Sequence, residues 1–316
     1  MAQATTFGTR VTHAYKLCGW HTRSDIRLTG VATSDSAGES VDIAIQIAPG
    51  CSPLAKNAGW SGFQHWGQRS LIRVEDVADF EVKEGRQIRV WPAAGAAQKD
   101  VEIFLLGPAW ATLSHQRGML PMHASAIVTK GGITAFAGHS GVGKSTIAAV
   151  MGTLGYELVA DDILTVSFNQ NSVPGAWPYL RRLKLQGDPI VQLALTATEL
   201  VSEKLDKEKY FVHPKCVADD QWNRLERVYL LEVDPTVPRV SIDRITGADA
   251  ARALIDQTYH FQFILDSGRF RDHLELCAQL ASKIAVYRLR RPPWYRGGKT
   301  LGSIVRAHLE DTSRSS

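Results

Sequence analysis

Eight consecutive residues constrain this 316-residue chain more than any other stretch: Gly138, His139, Ser140, Gly141, Val142, Gly143, Lys144 and Ser145. They fit G-x-x-x-x-G-K-[ST], a loop that makes sense only between a strand and a helix. Both flanks comply. Ile133–Ala137 is a short apolar run, and Thr146–Leu154 places Ile147, Val150, Met151 and Leu154 on one helical face. Gly155 stands where a helix stop belongs. The glycines permit a tight turn whose N–H groups point at phosphate oxygens, and the helix N-terminus favours an anion. Lys144 adds a point charge and the Ser145 hydroxyl suits Mg2+. The residues expected to touch nucleotide are these eight together with Thr146.

Sixteen residues beyond Ser145 come two adjacent acids, Asp161 and Asp162. Tyr156–Ala160 reads as the next strand, with the acids at its C-terminal end. Open α/β sheets bind ligands outside the carboxyl ends of their strands, so both acids are expected on the loop's side. One carboxylate suits Mg2+, and the other suits the proton of an attacking hydroxyl. Two solvated acids there would repel bound phosphate without a metal. The candidate catalytic residues are Lys144, Asp161 and Asp162. The candidate metal ligands are Ser145, Asp161 and Asp162, and the implied cofactors are ATP and Mg2+. Which aspartate has which role stays open at this level.

A hairpin precedes the loop. Leu120–Val128 is strand-like, Lys130, Gly131 and Gly132 make the turn, and the strand feeding the loop follows. His123 lies near the start of the first strand. On pattern alone a single histidine reads as packing or surface.

The combination of Met122-His123-Ala124, the loop from Gly138 to Ser145, and Gly155-Tyr-Glu-Leu-Val-Ala-Asp-Asp162 resembles the catalytic domain of HPr kinase/phosphorylase and its relatives. The matching stretch runs from about residue 118 to residue 168, a minority of the chain. The resemblance implies an ATP-dependent serine kinase. It implies an α/β fold, the P-loop kinase domain of the HPr kinase and phosphoenolpyruvate carboxykinase type. By the same resemblance Lys144 binds phosphate, Ser145 and one aspartate hold Mg2+, the other aspartate is the general base, and His123 joins the catalytic residues beside the carboxylates. Two features depart from the family. HPr kinases typically carry an acid after the loop serine where this chain has Thr146, and the E-x-R-G-x-G stretch of the reverse reaction has no counterpart. The chain is closer to HPr-kinase-like proteins of modified-peptide pathways, such as lasso peptide clusters. The implied partner is a peptide or small protein carrying a serine.

At 316 residues two domains are expected: a smaller β-rich one over 1–106, which could recognise substrate or partner, and the loop-bearing one over 107–316. A net charge of +4 does not call for nucleic acid and suits anionic phosphate ligands. No run approaches the length of a membrane span. The N-terminus lacks the basic start and apolar core of a signal peptide, and the four cysteines are far apart, so a reducing cytoplasm is expected. Homo-oligomerisation is compatible with the sequence.

Within 1–106, Val41–Ile47 alternates with period two, Phe80–Val82 and Ile88–Trp91 flank a hairpin turn, and Val101–Leu106 reads as a further strand. Trp20, Trp60 and Trp66 read as core or interface aromatics. A short helix is expected from Gly107 to Arg117, with Pro108 in its first turn and Gly118 as its stop. Arg181, Arg182 and Lys184 suit either the γ-phosphate or a charged strand edge. The charged stretch Glu203–Lys209 suggests an exposed helix or loop, and a lid over the substrate is an alternative. Arg288, Arg290, Arg291, Arg296 and Lys299, with Trp294 and Tyr295 among them, read as a solvated C-terminal extension or a docking segment. Residues 311–316 read as a disordered tail.

Two other functions fit the same residues: a small-molecule kinase of the shikimate or nucleotide-kinase type, and a nucleotide-gated peptide-binding module without transfer. Against the first, 137 residues and a hairpin precede the loop.

Overall fold

The computed structural model describes residues 12–34, 40–54, 62–202, 208–295 and 297–314. They form a mixed α/β protein with three sheets. The chain divides into two compact units: Met1–Met119 with Val201–Asp206 and His260–Arg271, and Leu120–Leu200 with Lys207–Tyr259 and Asp272–Ser316. The first unit therefore extends past residue 106 to Met119 and borrows two later segments.

In the first unit, strands β1 (His13–Leu17), β2 (Trp20–Ser24), β3 (Ala32–Thr33), β4 (Ile43–Ile47), β5 (Gly62–Trp66), β6 (Arg69–Val74), β7 (Ala78–Lys83) and β8 (Gln87–Pro92) make one sheet. Their order is β3-β1-β2-β4-β8-β7-β6-β5. The alternating run at Val41–Ile47 is β4, and the expected hairpin is β7 and β8, paired Phe80 to Val90 and Val82 to Ile88. The stretch 101–106 is not a strand. Helix α1 (Gln98–Phe104) runs through a π turn at Leu105–Ala109 into α2 (Trp110–Gln116). Val101, Glu102, Ile103, Leu105 and Leu106 are all buried, and a short run buried on every side shows neither a two-residue nor a 3.6-residue period. Pro108 sits inside that wider turn rather than at a helix start. A π turn is where a helix tolerates a residue that donates no N–H. Gly118, at φ +72°, closes the run as expected. Trp20 packs against Trp110, with the Arg117 guanidinium 4.1 Å from its ring. Trp66 is 53% exposed, and Trp60 lies outside the described residues.

The second unit opens with β9 (Leu120–Met122), β10 (Ala124–Thr129), β11 (Gly132–Ala137), α3 (Lys144–Thr153) and β12 (Leu158–Ala160). It continues through β13 (Leu164–Phe168), β14 (Pro174–Ala176), β15 (Leu183–Leu185), α4 (Gly187–Gln192), β16 (Ala197–Leu200), β17 (Tyr210–Val212), β18 (Asn223–Val233) and β19 (Ser241–Ile245). After α5 (Gly247–Ile255) the chain forms α6 (Phe261–Asp266) in the first unit, then α7 (Phe270–Lys283), β20 (Ala285–Arg291) and α8 (Gly298–Arg314). The main sheet runs β12-β10-β11-β18-β14-β13-β9, and β20 adds to β18 on the side away from β11. A small sheet, β15-β17-β16, stands apart.

Helix α8 replaces the expected solvated extension and disordered tail as far as Arg314. It buries Leu301, Val305 and Leu309 in the core that α3 shares with β10, β11, β18 and β20. A Cβ on Gly302 would come within 2.3 Å of Val150, so the two helices meet at a glycine. The basic run Arg288–Arg291 is likewise a paired strand. Arg288 donates to Glu232 at 3.0 Å and Arg290 to Asp243 at 2.7 Å. Arg296 and residues 203–207 lie outside the described residues. The described cysteines Cys18, Cys51, Cys216 and Cys277 are free thiols. No helix among the described residues is long and apolar enough to cross a membrane.

Candidate functional site

Strand direction brings the loop and the acids to one edge. Strands β11 and β12 both run antiparallel to β10, which lies between them, so they run the same way. Gly138 follows the end of one and Asp161 the end of the other. One cleft is lined from both sources: Ser140, Gly141, Gly143, Lys144, Ser145 and Thr146 on one wall, Asp161, Asp162, His123 and Lys184 on the other. His139 and Val142 belong to the same turn, where the Val142 N–H donates to the His139 carbonyl at 3.3 Å. The twin acids and the glycine-lysine loop thus face a shared space.

Two glycines are demanded by geometry. Gly138, at φ +146°, would push a Cβ to 2.7 Å from the Leu231 carbonyl on β18. Gly143 holds φ +109° at the N-cap of α3, a left-handed conformation that side-chain-bearing residues rarely adopt. Lys144, just after Gly143, folds back over the loop, its Nζ donating to the Gly138 carbonyl at 2.8 Å and the His139 carbonyl at 3.1 Å. It is 6% exposed, and burial lowers its pKa to about 8 against the pull of Asp162 and Asp161. An anion in the cleft would raise that pKa again, because a nearby opposite charge favours the ammonium.

The two aspartates have opposite environments. Asp161 is 1% exposed; Ser125 Oγ donates to one oxygen at 2.6 Å and the Lys184 N–H to the other at 2.8 Å. Burial raises its pKa, the Asp162 charge adds to that, and hydrogen bonds from Ser125, Lys184 and Ser145 oppose it. The Ser145 hydroxyl and Asp161 are therefore neighbours across the cleft. Asp162 sits at φ +75°, which turns its side chain away from its predecessor. The Lys184 Nζ donates to it at 2.7 Å, and His123 Nδ1 lies 3.9 Å from its other oxygen. Burial would raise its pKa, but Lys184 and His123 outweigh burial and hold it well below the usual carboxylate range.

His123 is not within a strand. The single strand expected over Leu120–Val128 is two, broken at His123, because β9 pairs with β13 while β10 pairs with β11 and β12. The His123 N–H donates to the Gln257 carbonyl at 2.8 Å, and its ring stacks on Tyr259 at 5.6 Å. Burial lowers its pKa to about 4, with Asp162 opposing and the lysines Lys144, Lys209 and Lys184 assisting. The imidazole is neutral at neutral pH.

Of the basic run after the loop, only one residue reaches the acids. Arg182 stacks on Phe211 at 3.8 Å and Arg181 lies 4.0 Å from Asp220. Lys184 occupies the opposite face of β15 from the buried Leu183 and Leu185, and alternation along that strand delivers it to the cleft.

Ser125, Gln257 and Tyr259 were not singled out by sequence, and Lys209, which also lines the cleft, was marked only as the end of the charged stretch 203–209. Ser125 had a usable signal: it lies two residues from His123, and the register opposing Ala126 to Ala160 sets it beside Asp161. Gln257 and Tyr259 come from more than a hundred residues away and had none.

The described residues contain no cluster of three or more His, Cys, Asp and Glu side chains suited to a metal. The donors at the cleft are two carboxylates and a hydroxyl, all oxygen. That set fits a hard cation such as Mg2+, which keeps waters and takes further oxygens from phosphate.

No protein-family model matches the sequence, and comparison with curated proteins gives no match. Among solved structures, that of the Hpr(Ser) kinase/phosphatase from Coxiella burnetii is matched over 61% of this chain and 98% of its own. The identity is 13% and the TM-score 0.34. An overlap that loose establishes neither family nor function.

Proposed function

We propose that the protein is an ATP- and Mg2+-dependent kinase that transfers the γ-phosphoryl group to a serine hydroxyl of a peptide or small protein. The second unit is then a P-loop kinase domain of the HPr kinase and phosphoenolpyruvate carboxykinase type, and the first a β-rich domain. The observation that carries the proposal is the single cleft lined by both the phosphate loop and Asp161–Asp162. A nucleotide binder needs the loop alone. Two carboxylates aimed at the same space add a proton acceptor and a metal site.

Ser145 and Asp161 would hold Mg2+, which supplies charge neutralisation for the phosphates. Asp161 fits that side because it neighbours Ser145 and is closed off from solvent. Lys144 leaves the Gly138 and His139 carbonyls for the β- and γ-phosphate oxygens. Asp162, more open to the cleft, accepts the serine proton as the serine oxygen bonds to the γ-phosphorus and the bond to the β-γ bridging oxygen breaks. The products are phosphoserine, ADP and a proton. Neutral His123 and the Lys184 ammonium orient Asp162, and Lys184 stands ready to meet charge developing on the phosphoryl oxygens.

The acceptors to test are serine-bearing peptides encoded beside the protein, with transfer from labelled ATP followed by intact mass. Asp162→Asn should remove turnover while leaving the Mg2+ dependence of ATP binding intact. Asp161→Asn should weaken that Mg2+ dependence. Undiminished transfer in the double variant would sink the proposal.

A further inference from the structure

The first unit carries a band of positive charge that phosphoryl transfer does not use. It lies on the face of the eight-stranded sheet turned away from the buried Ile72, Phe80 and Val90. There one register row crosses six neighbouring strands, β5-β6-β7-β8-β4-β2. Trp66 stands opposite Arg69, Arg69 opposite Lys83, and Lys83 opposite Gln87. Gln87 in turn stands opposite Ala44, and Ala44 opposite Arg23. Residues directly opposite one another share a face, so the six form a single track. With neighbouring strands about 4.8 Å apart, the track is about 24 Å long.

The row holds three cations and no acid. Trp66, Arg69, Lys83 and Arg23 are all exposed. Arg69 and Lys83 are like charges in direct opposition, an arrangement that costs a sheet stability. Nearby acids offset part of that cost. Glu81, one row along, pairs with Arg69, and Glu84 in the following turn reaches Lys83 at 3.4 Å. The second pair is open to water on both sides and contributes little. The opposite end of the same face is acidic. Asp79 neutralises Arg73 there, and Glu75 and Asp76 occupy the turn between β6 and β7.

Charge and length select the occupant. An exposed row suits an extended chain laid across the strands, and at about 3.3 Å per residue about seven residues span it. Neutral Gln87 and Ala44 separate Arg23 from the Arg69 and Lys83 pair, so the cations match carboxylates placed at intervals. A polynucleotide, charged at every step, would also bring phosphates towards the acidic end, and the row gives its bases one aromatic, Trp66, to stack on. A peptide can carry acids opposite the cations and none elsewhere.

We propose that this row is a docking track for an acidic peptide segment, whose carboxylates meet Arg69, Lys83 and Arg23 and whose end packs on Trp66. The track stands apart from the phosphoryl-transfer reading, since it shares no residue with that cleft. The test is fluorescence anisotropy of a labelled glutamate-rich peptide bearing one tyrosine, with the full chain and no nucleotide. The native chain should bind it, and added salt should weaken the binding. Arg23→Gln with Lys83→Gln should weaken it about tenfold, the combined effect of two exposed charge pairs. Trp66→Ala should weaken it about fivefold through the lost aromatic contact. Lys130→Gln with Arg252→Gln removes the same charge from exposed positions in the second unit. That control should leave affinity within about twofold, because distant surface charges are screened. All these side chains are exposed, and circular dichroism checks that each variant is folded. Absent binding by the native chain, unchanged affinity in either row variant, or equal weakening by the control overturns the track. Tighter binding of a single-stranded oligonucleotide of equal charge overturns it too, and would make the face a nucleic-acid surface.

Discussion

Charged residues meet in two different ways in this molecule. On strands β6 to β8 of the first unit they meet through register. Asp79 stands opposite Arg73 and accepts its bidentate bonds at 2.8 Å. Glu81 stands opposite Arg89, 3.6 Å away, and pairs diagonally with Arg69. Every acid there has a base, and the pairs follow once the hairpins form. In the cleft of the second unit charges meet because separate segments end at one place: the start of α3, the end of β12, the middle of β15 and the break between β9 and β10. There two acids stay adjacent, one lysine leans on carbonyls, and several pKa values are displaced. Sheet pairs add stability; a convergence of like charges costs stability and persists where ligands supply the compensation.

The sharpest way to break this comparison is Lys144→Ala. It should lower phosphoryl transfer by about 10²–10³-fold, the range for deleting one charge-stabilising donor, while the chain stays folded by circular dichroism. Loss of folding instead would make Lys144 a structural residue like Arg73.

Next in size is Lys184→Met. Lys184 is the largest cause holding the Asp162 pKa down among those that lower it, so its removal lets burial push that carboxyl up. Asp162 needs its charge to accept a proton, so the acid limb of the rate profile should move to higher pH. The sign for stability is the same. A depressed carboxyl contributes stability present above its unfolded pKa near 4 and lost as pH falls through the folded value, so the variant should begin to lose stability at a higher pH than the native chain. His123 titrates at about 4 in the same acid window and Lys184 helps to lower it, so the shift is read in a His123→Asn background as well. An unmoved acid limb would separate Lys184 from the chemistry.

The smallest effect belongs to the first unit. Glu81→Gln should cost about 1 kcal/mol in denaturant unfolding, since its arginine partners are half exposed, and leave ATP binding unchanged. A loss of nucleotide affinity there would blur the distinction between the two regions.

Much of the second unit was legible because its signals are local. Strand, glycine loop, helix, stop and acid pair follow one another within a short stretch, and each has its own backbone or pattern signature. Three segments were misread for physical reasons. Residues 101–106 are buried at every position except Phe104 and carry no period. Leu120–Val128 looks continuous, but its two halves pair with different neighbours. The run from Pro292 onward looks solvated by composition, yet Leu301, Val305 and Leu309 at helical spacing fasten α8 to α3.

By itself the sequence determined the phosphate-type loop, the acids after it and the direction in which both leave the sheet, because these depend on neighbouring residues and on strand polarity. Only the tertiary structure decided which of three basic residues faces the acids, that Ser125 and Lys184 hold Asp161 while Lys184 and His123 hold Asp162, and that the last helix packs against α3. Those outcomes depend on contacts between segments distant along the chain, where packing and burial act and no local pattern records them.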